Sequence, residues 1–289
     1  MNILQPHMSY ENIDRLYSAY AGKDKRHWEK SFPVMYDKYP LKVAGNRKES
    51  SFKLFSLAEI MRRIEQDESY KNLALDYLRQ ANEFAVVQYQ LALNLGKSTT
   101  FMLKGQQFEV TAPEKSHFTT VDYWYKDLAV SLILRDKVSI AALLKYQAKD
   151  TIRNGELSSF DTALCEFIKG IFDDDADIRS LFLSLVNIVA NGNEIGSRQG
   201  YIDLCIMPTI MAWAALIENN MEKFEQSVLD ATKYLYSYYH KSEWEGDPYG
   251  WFPPLLIAAA VFAYDQYGYN LQHDNPYIPK WLVQGDFKN

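Results

Sequence analysis

The strongest constraint on this chain is one long stretch, Tyr70 to Leu95, whose apolar residues return at helical spacing. Tyr70, Leu73, Ala74, Tyr77, Leu78 and Ala81 open the stripe, and Phe84, Ala85, Leu91, Ala92 and Leu95 continue it. At 1.5 Å per residue such a helix is about 39 Å long, enough to cross a whole domain. Ser69 is placed to cap its start and Gly96 to stop it.

Most of the remaining chain repeats the same period. Val121, Trp124, Tyr125, Leu128, Ala129 and Ile133 form one face of a helix over Thr119–Leu134, with Thr119 and Asp122 at capping-box spacing. Arg135-Asp136 reads as a tight corner into Val138–Gln147. Ser158 opens a helix with Leu164, Phe167 and Ile168 on its apolar face, and Ile178, Leu181, Leu185 and Val189 mark another, stopped by Asn191-Gly192. Tyr201–Ile217 contains Pro208, which predicts a kink. Asn219-Asn220 separates it from Met221–Tyr239, and the last long helix runs from Pro253-Pro254 to Gly268.

One segment alternates instead. In "TTFMLKGQQFEVTA" (Thr99–Ala112), Phe101 and Leu103 can pair with Phe108 and Val110 around a Gly105-Gln106 loop, which predicts a type II′ hairpin. A lone hairpin is marginal in water, so it must lie on helices. Tyr10–Tyr20 predicts a short amphipathic helix, and the rest of the first ~55 residues reads as an irregular segment packed on the body. No repeat and no boundary interrupts the pattern. The expected fold is therefore all-α: one domain over residues 1–289, a helical bundle or array with a small β-hairpin at about 99–112.

Charge narrows the function. The 289 residues include 31 basic and 37 acidic side chains, a formal net charge of -6. Residues 1–144 carry 20 basic and 17 acidic side chains, residues 145–289 carry 11 and 20. The second half would repel nucleic acid and attract a basic protein. With only 13 Gly and no G-x-G-x-x-G, phosphate-cradling loops are not expected. The longest apolar run, Leu255–Ala263, falls far short of the ~20 residues of a membrane span, and the N-terminus shows no leader pattern. Cys165 and Cys205 sit in apolar helical patterns and read as buried thiols of a reducing compartment. These features predict a cytoplasmic protein with no membrane and no nucleic-acid partner.

Chemistry-bearing motifs are few. Asp173-Asp174-Asp175-Ala176-Asp177 matches D-D-x-x-D, the pattern by which all-α isoprenoid and terpene synthases hold Mg²⁺ and a diphosphate. The same acids would also suit a helix N-terminus. The run lies between two helix patterns and no second metal motif follows, which favours the helix-terminal reading. His7, His27, His117, His240 and His273 are scattered, without metal spacing. No nucleophile elbow is present, so neither cofactor nor catalytic residue is expected. The loop "HKSEWEGDPYGWFPP" (His240–Pro254) sets Trp244, Tyr249 and Trp251 among Glu243, Glu245 and Asp247. Aromatic anchors with acidic neighbours suit a basic partner; the alternative is that they turn inward and lid the bundle. These six residues, with Asp173, Asp174, Asp175 and Asp177, are the candidate partner-binding set.

Three stretches together carry a resemblance: the Thr99–Ala112 hairpin after its long helix, "YIDLCIMPTIMAWAALI" with its internal Pro, and the C-terminal "DNPYIPKWLV". In this order and spacing, from about Asp76 to Gln284, the chain resembles the immunity protein 49 family of bacterial polymorphic toxin systems. The resemblance implies a mostly helical antidote of interbacterial competition, encoded beside a secreted toxin that it binds and neutralises. Toxins beside this family are often nucleases. It implies no enzymatic activity and transfers no site residue. Two other readings stay open on the residues alone: a Mg²⁺-dependent enzyme acting on a diphosphate through 173–177, and a general helical protein-binding scaffold.

Overall fold

A computed structural model describes residues 10–30, 38–114, 119–150, 158–191, 196–240 and 246–287. In chain order its elements are α1 (Tyr10–Lys30), α2 (Pro40–Glu65), α3 (Ser69–Leu93), β1 (Ser98–Leu103), β2 (Gln106–Thr111), α4 (Val121–Leu134), α5 (Lys137–Leu143), α6 (Ser159–Gly170) and α7 (Ile178–Asn191). There follow α8 (Gln199–Tyr201), a π-helical segment (Ile202–Ile206), α9 (Met207–Ile217), α10 (Met221–Tyr239), α11 (Pro248–Trp251), α12 (Pro254–Tyr267) and α13 (Lys280–Val283). The protein is all-α with one two-stranded hairpin, as its periodicity predicts. Where one domain is expected, internal contacts group the chain into two compact units: residues 8–120 with 136–153, and residues 1–7 and 121–135 with those from 154 onward.

In the first of these units, α2 and α3 pack along their lengths. Residues 40–65 correct the expectation of an irregular N-terminal segment, and α1 likewise continues past Tyr20 to Lys30. The reason is burial. Leu41, Phe52, Leu54, Phe55, Leu57 and Met61 are all inside, and so are Lys48, Ser51, Ser56 and Glu59. A helix covered on nearly every face has no polar side, so its sequence shows no stripe. Its interior polar groups find partners instead: Glu59 takes Arg62 at 2.8 Å and Arg63 at 2.7 Å, and Ser51 accepts from Gln80 of α3 at 2.7 Å. Pro40 occupies the first turn, where its missing N–H costs nothing.

The hairpin lies on this pair. Phe101, Leu103 and Val110 share a core with Leu41, Ala44 and Phe84, and Phe101 stacks on its cross-strand partner Phe108 with centroids 6.0 Å apart. The turn differs from expectation. Leu103 pairs with Gln106, so the loop residues are Lys104 and Gly105, with φ of 48° and 73°. Two positive φ values make a type I′ turn, whose twist matches that of the strands. Asp136 then caps α5, accepting from the backbone of Val138 and Ser139, while Asn82 of α3 donates to both Asp136 and Ser139 at 3.0 Å.

The second unit is built around α9 and α12, both apolar on most faces. Trp213 of α9 donates to the Leu255 carbonyl at 3.1 Å and meets Phe262 at 5.4 Å. Pro208 explains the π-helical segment before it. Proline cannot donate, and its ring crowds the carbonyl four residues back. The helix widens there: the Met207 N–H reaches the Ile202 carbonyl, and the Thr209 hydroxyl bonds the Cys205 carbonyl at 2.9 Å. Gly196–Ile217 is, among the described residues, a helix long and apolar enough to cross a membrane. Here its α9 portion packs against α10 and α12.

Two polar latches close this unit. The Arg135 guanidinium pairs with Asp265 at 2.9 Å and donates to the carbonyls of Leu282 and Val283, at 2.6 Å each, capping α13. Glu225 of α10 accepts from Tyr269 at 3.0 Å, from His273 Nδ1 at 2.9 Å and from the backbone of Gln272 and His273. Asn275 donates to Thr232 at 2.9 Å and accepts from the Tyr277 backbone N–H. The motif "DNPYIPKWLV" is thus a fold element, with Tyr277, Ile278, Trp281, Leu282 and Val283 all buried.

Candidate partner-binding surface

The acidic run folds as a turn between α6 and α7. Asp173 Oδ1 accepts from the Asp175 backbone at 3.1 Å, and Asp177 accepts from the Ser180 backbone at 3.1 Å and its hydroxyl at 2.8 Å. These Ser180 bonds hold the Asp177 carboxyl below its usual range. Asp177 therefore caps α7, and Asp173, Asp174, Asp175 and Asp177 are all exposed. Ligands for a bridging metal pair would need to stand one turn apart along a helix, and these do not. No cluster of His, Cys, Asp and Glu suited to a metal occurs among the described residues. Asp177→Ala should lower Tm by a few degrees through the lost cap, measured by a thermal melt. An unchanged melt would remove the capping role.

The aromatic loop divides. Glu243, Trp244 and Glu245 lie outside the described residues. Asp247 caps α11 by accepting from the Tyr249 backbone at 2.9 Å. Tyr249 and Trp251 are buried, Trp251 at 1 % exposure, so this part of the loop is a lid and not a display of anchors. Gly250 fixes its seat: a Cβ there would stand 2.5 Å from the Tyr239 ring.

Beneath that lid is a polar cluster that the sequence does not advertise. Lys126 of α4 pairs with Asp122 at 2.8 Å and lies 4.6 Å from the Tyr249 ring centre and 5.4 Å from that of Tyr201. The Tyr125 hydroxyl joins Asp122 at 3.1 Å and Tyr201 at 3.0 Å. Nearby, Arg198 makes a two-pronged pair with Asp161 at 2.9 and 3.0 Å. Burial works against the Lys126 charge, but Tyr201 and Asp122 outweigh it and hold the ammonium well above its ordinary range. Burial pushes Tyr201 up to about 12 and the Cys205 thiol higher still. A locked ammonium is no base, and a protonated thiol is no nucleophile. The cavity they border holds about 30 Å³, room for one water and no substrate. The cluster is a structural one.

The open feature of this unit is a groove of about 510 Å³ between α7, the α8–α9 run and α10. Val186, Val189 and Ala190 supply one wall, Met207, Pro208 and Met211 a second, and Ser227, Asp230 and Tyr234 the third. In each helix these residues recur at three- or four-residue spacing, so they share a face. The lining is mostly apolar, yet its side chains stay accessible: Met211 is 38 % exposed and Tyr234 47 %. Two carboxylates stand in it. Asp203 accepts from Gln199 at 2.7 Å. Asp230 accepts from Gln226 and forms an ion pair with the half-exposed Lys233, each at 2.9 Å, and these keep its carboxyl below its usual range. An apolar trough with fixed negative charge can seat apolar side chains that are flanked by cations. The stripe Ile178, Leu181, Leu185 and Val189 marks a helix in the sequence but does not tell that much of its apolar surface stays open.

The family model described as Immunity protein 49 matches residues 68–282. Neither among curated proteins nor among solved structures does the chain find a match.

Proposed function

The chain belongs to the immunity protein 49 family, and from that premise we propose that it neutralises a cognate secreted toxin by forming a stoichiometric complex with it. The observation that carries the reading is the family match, which spans most of the chain and both compact units. The proposal has four finer parts. The antidote acts without catalysis, by covering the toxin's active site or a surface beside it. It works in the cytoplasm of the producing cell. Its partner is basic, drawn by the 20 acidic against 11 basic side chains of residues 145–289. That partner is a nuclease, whose phosphate-binding surface an acidic protein imitates.

The structure adds physical support to the non-catalytic part. The D-D-x-x-D run is a helix-capping turn, and the Lys126–Asp122–tyrosine cluster is chemically locked around a cavity of about 30 Å³. Co-expression with the product of the adjacent open reading frame tests the whole reading. A one-to-one complex on size exclusion with light scattering is expected, together with restored growth of cells producing the toxin. Growth inhibition unrelieved by this protein, with no complex formed, would refute it. Mg²⁺-dependent release of diphosphate from a prenyl substrate would refute the non-catalytic part.

A further inference from the structure

Resting on the toxin-binding reading above, we infer that the groove between α7, α9 and α10 is the docking site, and that it seats an apolar ridge of the toxin flanked by Lys or Arg. The first argument is the state of α7. Its sequence, IRSLFLSLVNIVAN, is apolar at most positions, yet Leu185 is its one fully buried residue. A helix this apolar in a folded chain ordinarily hides its stripe. The N-terminal half of α7 does pack, with Phe182 against Phe167 and Leu181 over Gly170. Farther along, Leu183 is 50 % exposed, and Val186 and Ala190 continue its face at i+3 and i+7 into the groove.

The second argument is composition. Met207 and Met211 sit one turn apart on the facing wall, and Tyr234 closes the trough from α10. Methionine moulds itself to a ligand, and tyrosine is a preferred interface anchor because it buries a large area with few rotamers. A volume near 510 Å³ takes a small number of large side chains.

Charge chooses among occupants. Asp203 and Asp230 lie in the groove lining. The Asp177 cap precedes Val186 by nine positions of α7, about 13 Å along the axis, and Asp173, Asp174 and Asp175 come just before it, all exposed. An anionic lipid surface would be repelled by the lining carboxylates and by the exposed acids at the start of α7. A second copy of the chain, meeting the groove across a two-fold axis, would bring the same carboxylates against each other. A basic protein surface gains from Asp203 and from the exposed acids before α7, while Asp230 shares its charge with Lys233.

Binding of the full chain to the catalytically inactivated product of the adjacent open reading frame, measured by interferometry at two salt concentrations, tests the inference. Leu183→Ala, Met211→Ala and Tyr234→Ala alter half-exposed side chains, so their melts should stay close to wild type. Tyr234→Ala is expected to raise Kd about 30-fold and Met211→Ala about tenfold, mostly through faster dissociation. Asp203→Lys with Asp230→Lys should slow association about tenfold and flatten its salt dependence. If wild type binds and every folded variant binds equally well, the docking site is elsewhere and the toxin-binding reading stands. If wild type neither binds nor protects, both fall. A homodimer that dissociates in these variants while toxin affinity holds would make the groove a self-association surface and overturn the inference.

Discussion

Replacing Trp251 with alanine is expected to cost the protein about 3–5 kcal/mol of stability, the usual loss for a large aromatic removed from a core. Trp251 is 1 % exposed and sits at the end of α11, which packs on α10. Tyr249, two residues before it, is buried as well, and Gly250 between them already touches its neighbour at the limit of packing. Collapse around the vacated space is therefore restricted, which places the loss in the upper part of that range. The melting temperature of the transition that includes residues 246–267 should fall by about 10 °C. Gly250→Ala should act in the same direction, because its new methyl meets Cβ and Cγ of Tyr239 near the backbone, where the ring cannot swing away. Toxin affinity per folded molecule should stay at the wild-type value in both. A Trp251→Ala protein that melts normally but loses affinity would reverse the assignment and return this residue to the partner surface.

What the sequence reveals about this fold follows from where each helix sits. α3, α6 and α10 carry one apolar face against a polar one, and their periods are plain in the sequence; α4 is buried at ten of its fourteen positions, yet its apolar residues still keep helical spacing. Local signals hold too: Ser158 caps α6, Asn220 caps α10, and Gly268 ends α12 with φ of 64°. α2 fails for the opposite reason to disorder. It is buried nearly all round, with Lys48 and Glu59 inside, so it imitates a charged connection. The hairpin turn shifts by one residue because Gly105 can serve either loop, and strand register, a long-range property, decides between them.

The candidate sites show the same division more sharply. The Asp173–Asp177 turn was legible as a helix start, since capping is decided within three residues. The orientation of Trp251 was not, because it depends on Tyr239 and α10, elements formed earlier in the chain. The groove is assembled by three helices and leaves no local trace beyond an excess of apolar residues in α7 that one core face cannot absorb. The Lys126 cluster is hidden in a similar way: Asp122 and Lys126 look like an ordinary i,i+4 surface pair, and Tyr201 and Tyr249 arrive from far along the chain.

That cluster supports the second large effect. Asp122→Ala should destabilise the protein by about 3 kcal/mol, because it leaves the buried Lys126 ammonium without its carboxylate. The lower end of the usual range applies, since the Asp122 side chain keeps 28 % exposure. Replacing both partners together, as Asp122→Leu with Lys126→Met, should recover most of the loss, for an apolar pair requires no charge to be desolvated. The pH dependence follows from the directions of the shifts. For Asp122, burial pulls upward, but Lys126 outweighs it and the carboxyl is held below its ordinary value. Its contribution is therefore complete above about pH 4 and is lost as pH falls through the depressed folded value. Lys126 is raised, and burial raises Tyr125, Tyr201 and Tyr239. Above about pH 10 the unfolded chain releases these protons while the folded chain keeps them, so stability falls as pH rises. The Cys205 thiol, raised by burial, adds an earlier fall, so denaturant unfolding across the pH range should show a plateau from about 4 to 9 with a steep alkaline edge. In the doubly replaced protein the Lys126 share of that edge should vanish, leaving a shallower fall that belongs to the tyrosines and the Cys205 thiol. An alkaline edge of unaltered steepness would show that the Lys126 ammonium is not held by this cage.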